Sequence, residues 1–275
     1  MRACLAVSFV IVGCIFPSAA IAWGIEGHRV VALIAASELT PAAKAQVEAL
    51  LGGEASSSMA NIANWSDEVR PQRPETAPWH YVDIPIGSMG YDPARDCKNN
   101  DCIVAQIVKN EQILADKSLL PPVRAEALKY LIHFVGDIHQ PLHSSNNNDH
   151  GGSDMRVSVN GRQTTLHRVW DNLIPASLGP DEASIVSRLE TKMTLDQRRR
   201  WGSNDPGDWA NEGFALAGKE IYPALSSNVV SVGPIVLETD YVAHHQATVE
   251  MQLEKAGLRL AAAINTLFGP RRFWR

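Results

Sequence analysis

The sequence has 275 residues, 45% of them hydrophobic, with 25 Lys and Arg against 30 Asp and Glu. That length and apolar content suffice for one sizeable domain, without repeats or low-complexity linkers to divide it. A formal charge of −5 argues against a protein that wraps duplex phosphates nonspecifically, which needs a basic face, so any anionic substrate must be held locally.

The amino-terminal segment reads as an export signal. Arg2 supplies a positive start, Ala3 to Phe16 form an apolar run too short for a comfortable membrane span, and Ala20-Ile21-Ala22 is a small-residue cleavage pattern. Cleavage after Ala22 removes Arg2, Cys4 and Cys14 and leaves Trp23 as the first mature residue. No later segment approaches a membrane-spanning length, so the mature chain, 23–275, is expected as a soluble exported domain, periplasmic or secreted. Cys97 and Cys102 then remain, in the polar stretch ArgAspCysLysAsnAsnAspCys. An oxidising compartment would join them into a short disulfide loop; zinc binding by the pair is less well supported, because neither lies at a suitable spacing from a histidine.

Helix signals dominate the rest. Val30, Val31, Leu33 and Ile34 recur at helical spacing within Gly27 to Leu39, and Thr40-Pro41 reads as a cap opening a second helix that ends at Gly52-Gly53. Ala60 to Val69 and Cys102 to Ala115 read as further helices, and Pro121-Pro122 opens a long one. MRVSV, Asn160-Gly161 and RQTTL predict a β-hairpin near 155–166. From Asp240 to Leu267 the chain returns to helix, with Leu253, Ala256, Leu260 and Ile264 as an apolar stripe. The fold class predicted is mainly α, a single compact multi-helix domain carrying a small hairpin.

The long helix ends in HFVGDIHQPLH, residues 133–143, which places three potential metal ligands in a buried setting. His133 and Asp137, four apart, project from one face. A satisfied core histidine is the bland alternative, but a buried aspartate needs a strong partner and a cation supplies one. His143 follows Pro141 on less regular backbone and is expected to face a different ion; His167 and Asp171 repeat the four-residue spacing. The third such pair, His150 and Asp154, spans glycines and reads as a polar loop. His244 and His245 are adjacent, so they cannot face one direction, and read as surface or packing residues. His139, two residues from Asp137, points off its face and reads as a supporting or core residue.

His28 in TrpGlyIleGluGlyHis, Asp67 in AsnTrpSerAsp with Arg70 three residues on, HisTyrValAsp at 80–83, HFVGDIHQPLH and LHRVWDN at 166–172 complete an ordered set. With these elements the chain resembles the zinc-dependent single-strand-specific nucleases of plants, fungi and bacteria, the nuclease type I family, which is related to zinc phospholipase C. The resemblance spans essentially the whole mature chain. It implies three zinc ions: one held by Asp67, His80, His133 and Asp137; one by His143, His167 and Asp171; and one by Asp137, His28 and the amino nitrogen and carbonyl oxygen of Trp23, available only after the signal is cut. It also implies cleavage of single-stranded DNA and RNA to 5′-phosphate products, with 3′-nucleotides as further substrates, by a water shared between ions and attacking phosphorus in line. Asp67 would orient the nucleophile and Arg70 steady a phosphate oxygen, unless Arg70 only supports Asp67 or Asp171. Tyr81 could stack on a base or simply pack; Asp83 and Asn172 could meet base edges. The Cys97 and Cys102 pair also resembles a disulfide loop of the family. Two rival readings are a zinc phospholipase C, against which Asp171 stands where those enzymes use Glu, and an exported zinc-binding protein without catalysis. No protein partner is implied.

Overall fold

The computed structural model describes residues 23–201, 205–225 and 233–269; the expected signal segment, 1–22, lies outside them. Helices come first: α1 (Ile25–Ser37), α2 (Pro41–Leu51), α3 (Ala55–Ile62), α4 (Trp65–Val69), the short α5 (Pro93–Asp96), α6 (Ile103–Ala115) and the long α7 (Pro121–Asp137). A hairpin follows, β1 (Arg156–Val159) and β2 (Arg162–Thr165), then α8 (Leu166–Arg168), α9 (Ile174–Ala176), α10 (Glu182–Lys192), α11 (Leu195–Arg200), α12 (Pro206–Leu216), α13 (Tyr222–Leu225), β3 (Ile235–Val236) and α14 (Tyr241–Phe268). The protein is mainly α, as the periodicity predicts.

Local chemistry sets several of these boundaries. Thr40 accepts from the Ala43 amide and Pro41 takes the first helical position, so α2 begins where the cap was expected. Asn160 and Gly161 both adopt positive φ, 51° and 78°, as a two-residue type I′ turn requires. The hairpin pairs Arg156 with Thr165 and Val159 with Arg162. Two features differ from the sequence reading. The helix expected over Ala60 to Val69 is two helices broken at Ala63-Asn64, and the break leaves the Ala63 carbonyl to accept from His133 Nδ1 at 2.7 Å. In addition, β3 pairs parallel to β1, giving a three-stranded sheet in the order β2-β1-β3; two residues are too short for a visible strand period.

The core forms where α1 packs along α14, α3 and α10, with α7 set against α6 and α14. Gly257 allows the close approach of α14 to α1, because a Cβ there would collide with Ile34. Ile34 is fully buried, a burial that contributes roughly 1.5–3 kcal/mol. Leu253, Ala256, Leu260 and Ile264 are all buried in the same interface region. Thus the carboxyl end of α7 and the amino end of α1 meet inside the molecule, on rigid elements. No helix of the described residues is long and apolar enough to cross a membrane.

Candidate metal centre and substrate cleft

At that meeting point Asp137, fully buried, is surrounded by imidazoles from three separate segments. Its Oδ1 lies 3.1 Å from His28 Nε2 on α1. Its Oδ2 lies 2.9 Å from His80 Nδ1 and 3.2 Å from His133 Nε2. Asp67, on α4, approaches the same histidines, 3.6 Å from His80 Nδ1 and 3.8 Å from His133 Nε2. Two groups of potential ligand atoms result, His28 with His133 and Asp137, and Asp67 with His80 and His133.

A third group lies beyond α7. His143 sits in the 3-10 turn Pro141–Ser144, His167 lies in α8, and Asp171 lies within the π-helical turn Val169–Leu173 that follows it. His143 Nε2 and His167 Nε2 stand 3.1 Å apart, with Asp171 Oδ2 3.2 Å from His167. These residues form one candidate ligand group. His150 and Asp154 contact each other at 2.5 Å in an exposed loop and belong to none of the three groups. His245 is buried against Tyr241 and Trp170. His139 donates from Nδ1 to the Val135 carbonyl and accepts from Arg259, so both ring nitrogens are spoken for.

Backbone carbonyls aim the rings. His133 Nδ1 donates to Ala63, His143 Nδ1 to His80 and His167 Nδ1 to Gly151, each at 2.7 Å. Each bond fixes a tautomer whose Nε2 lone pair faces the cluster, the arrangement by which outer groups orient metal-binding histidines. Ser66, buried, places its hydroxyl 3.3 Å from His80 Nε2. Gln140, also buried, donates to Asp171 Oδ1 at 2.6 Å while its own carbonyl accepts from the Leu142 amide. Gly136 completes the frame: a Cβ there would come within 2.7 Å of His28 Nδ1. None of Ser66, Gln140 and Gly136 was singled out from sequence, although Gln140 and Gly136 lie inside HFVGDIHQPLH.

The electrostatics suit a cation. Burial alone would lower the His133 pKa, but the carboxylates of Asp137 and Asp67 raise it to about 9, which means that positive charge is favoured between them. Burial lowers the pKa of His28 and of His80, keeping their lone pairs available. Burial and the neighbouring His167 pull His143 down to about 3, and burial pulls His167 to about 4. Oxygen atoms of Asp67, Asp137 and Asp171 are buried without a hydrogen-bond donor, a costly state unless a cation or proton meets them. Imidazole and carboxylate donors in this number suit zinc.

The groups open on a cleft of about 630 Å³ lined by Arg70, Tyr81, Asp83, His80, His143 and His167 among others. Arg70 Nη1 is 3.4 Å from Asp67 Oδ1 on its wall, and Tyr81 is 40% exposed. Burial raises the Asp83 carboxyl pKa. Asn172 is not among the residues lining the cleft; it is exposed and stands against Gly24, where a Cβ would strike its side chain. The start of the described chain is tied down on both sides. The Trp23 indole donates to the Gly136 carbonyl at 2.8 Å, and the Gly24 amide donates to the Asp171 carbonyl at 2.7 Å. Cys97 and Cys102 are joined as a disulfide.

A helical frame that presents buried imidazole and carboxylate groups to an open cleft defines a candidate metal-dependent hydrolase. The sequence model of the S1/P1 nuclease family matches residues 23–269, and the chain belongs to that family. It is a nuclease. Endonuclease 4 of Arabidopsis thaliana is 33% identical over 92% of this chain and 91% of its own length. Nuclease P1 of Penicillium citrinum is 30% identical over 90% of this chain and 98% of its own, and nuclease S1 of Aspergillus oryzae is 28% identical over 89% and 91%.

Proposed function

We propose that the mature chain, 23–275, is an exported three-zinc phosphodiesterase that cuts single-stranded DNA and RNA to 5′-phosphate products and also removes phosphate from 3′-nucleotides. The observation that carries this reading is the placement of Asp137, whose two oxygens face different imidazoles, Oδ1 toward His28 and Oδ2 toward His80 and His133. One ion would be held by Asp67, His80, His133 and Asp137, one by Asp137, His28 and the Trp23 amine and carbonyl, and one by His143, His167 and Asp171. The anchoring of Trp23 and Gly24 beside Gly136 and Asp171 supports the terminal ligand. When bound, zinc supplies Lewis acidity and water acidified enough to attack phosphorus near neutral pH.

The protein groups divide the remaining work. Arg70, on the cleft wall, holds a non-bridging phosphate oxygen by a charge-assisted hydrogen bond. Asp67, beside it, accepts a hydrogen bond from the attacking water and fixes its line of approach. Tyr81 offers a face for a base and Asp83 an acceptor for a base edge, while Asn172 would meet a nucleotide on the side of the processed terminus. Single-strand preference follows from access, since a base must leave the stack for its phosphate to enter the cleft.

Processed protein, with its terminal sequence verified, should contain close to three zincs per chain and cleave single-stranded DNA, RNA and a 3′-nucleotide, losing each activity to chelator. Cleavage of phosphatidylcholine alone would overturn the nuclease substrate class, and a zinc-free active sample would overturn the metal assignment. One extra residue before Trp23 should remove most activity; full turnover by that variant would refute the terminal ligand.

A further inference from the structure

We propose that the groove beside Trp79 and Lys109 is a second contact surface for single-stranded nucleic acid, taking up the strand as it leaves the cleft. The inference rests on the single-strand nuclease reading above. A space of about 260 Å³ is lined by Arg73, Glu75, Trp79, Lys109, Glu126 and Tyr130 among others. It shares a wall with the catalytic cleft. Along the segment from Arg70 to Tyr81, the residues Arg70, Pro71, Pro74, Ala77, His80 and Tyr81 line the cleft, whereas Arg73, Glu75, Thr76 and Trp79 line the groove. A strand crossing this short ridge passes from one to the other.

The groove offers the two chemistries that a single strand uses. Trp65 and Trp79 stand edge-on to the Tyr130 ring, with centroids 5.2 and 5.8 Å away. Lys129 Nζ lies 4.8 Å from the Trp65 ring centre and Lys109 Nζ 5.1 Å from that of Trp79. Neither lysine forms an ion pair among the described residues, whereas Arg73 is matched by Glu126 at 2.8 Å. In an acidic chain, Lys109, which lines the groove and is held on the Trp79 face without a carboxylate partner among the described residues, places positive charge beside flat apolar surface. A base arriving on Trp79 displaces Lys109 from the ring toward the adjoining phosphate, so the cation changes partner without being left unpaired. Stacking on indole and charge on phosphate are sequence-tolerant. Glu75 and Glu126, which also line the groove, repel phosphate, which leaves Lys109 to guide the backbone.

The contact should depend on length, since a dinucleotide fills the cleft alone. The test is steady-state hydrolysis by the mature enzyme of a long single-stranded oligonucleotide and of a dinucleotide over a range of salt. Lys109→Glu and Trp79→Ala are compared with Lys219→Glu, the same charge change on a different element. The KM of the long substrate should rise about fivefold or more for Trp79→Ala and similarly for Lys109→Glu, with kcat/KM on the dinucleotide unchanged. The salt dependence of the long substrate's affinity should weaken by about 0.7 in logarithmic slope for the lost phosphate contact. Lys219→Glu should match the wild type. An unchanged KM for the long substrate, or equal losses on both substrates, overturns the proposal. Lys109 is exposed, so its variant carries the test even if Trp79→Ala fails to fold. Failure of the wild type to cut either single strand would instead sink the nuclease reading itself.

Discussion

Asp137 and Asp171 are both buried carboxylates placed four residues after a histidine, yet they rest in opposite electrostatic states. Burial works to raise the Asp137 pKa, but the His133 charge and the close approach of the His133, His28 and His80 imidazoles outweigh it and hold the carboxyl well below its usual range. Around Asp171 burial prevails and raises the carboxyl well above its usual range, against the Gln140 hydrogen bond. His143 and His167 beside it are pushed toward the neutral form. The same residue types therefore make a charged cluster where two carboxylates converge and a neutral one where a single carboxylate is enclosed. A cation enters the first by replacing a proton on His133; it enters the second only by stripping one from Asp171. Each group thus releases a proton on binding, and the Asp171 group, with one carboxylate where the other has two, should be the weaker.

The largest effect should come from removing the shared carboxylate. Asp137→Asn is expected to cost about 10³-fold or more in kcat and more than one zinc per chain, because its oxygens face two sets of imidazoles. Asp171→Asn should cost one zinc and leave the others bound. Metal analysis beside single-turnover rates checks both, and equal metal loss in the two variants would remove the asymmetry.

The supporting residues come next. Gly136→Ala would drive a methyl group to within 2.7 Å of His28 Nδ1, and neither the α7 backbone nor the stacked His133 ring, 4.0 Å from His28, has room to yield. Overpacking of about 1–3 kcal/mol and a 10- to 100-fold loss of zinc affinity, roughly the scale for outer groups, are expected at the Asp137 cluster alone. Gln140→Leu should produce a loss of similar size, about 10- to 100-fold, confined to the Asp171 group. Zinc titration of stripped protein separates the two, and a loss spread evenly over all sites would show that the clusters are not independent.

The sequence displays the ligands far better than the parts that hold them. His133 and Asp137, and His167 and Asp171, are visible because helical spacing brings fourth neighbours together, and each pair closes to 3.2 Å. The same spacing in His150 and Asp154 gives only an exposed contact, so spacing informs only with burial. The turn at Asn160-Gly161 and the Thr40 cap are legible because particular side chains are needed there. The carbonyls of Ala63, His80 and Gly151 are not, since any residue supplies one. The break between α3 and α4 belongs to this class: local preference favours continuing the helix, and the turn away from it frees the Ala63 carbonyl for His133. The pairing of β3 with β1 is a long-range contact of two residues, and Ser66 and Gln140 carry no motif of their own.

Individual imidazoles, His143 and His167 on one side and His133 on the other, should also tilt the stability of zinc-stripped protein in opposite directions with pH. His143 and His167, near 3 and 4 in the fold, have unfolded values of about 6.5. Their contribution is complete above that value and is lost as pH falls through the folded values, because the unfolded chain binds the protons first. His133, at about 9 in the fold, contributes fully below pH about 6.5 and loses that contribution as pH rises through 9. Melting temperatures across pH should therefore fall on both limbs. His143→Asn should flatten the acid limb and His133→Asn the alkaline one; a stripped protein with no alkaline fall would show that Asp137 and Asp67 do not hold a proton on His133.

The smallest change in catalysis should follow loss of the disulfide, which belongs to the frame. Cys97 and Cys102 close a loop with a sequence separation of 5, for which chain entropy predicts about 2 kcal/mol. In a domain of this size that corresponds to a fall in Tm of about 4–8 °C. The loop meets the segment that carries His80 through the Ile103 amide, which donates to the Tyr81 carbonyl at 3.1 Å, and through Asp101, which accepts from the Trp79 indole at 2.8 Å. The Cys97→Ala, Cys102→Ala double variant should therefore keep its zinc and its kcat, and show at most a modest rise in KM as Tyr81 loosens. Loss of zinc from that variant would mean that the loop reaches His80 through Tyr81 and helps to hold the charged cluster, which would make Asp137 and its imidazoles dependent on a surface segment and not on α1 and α7 alone.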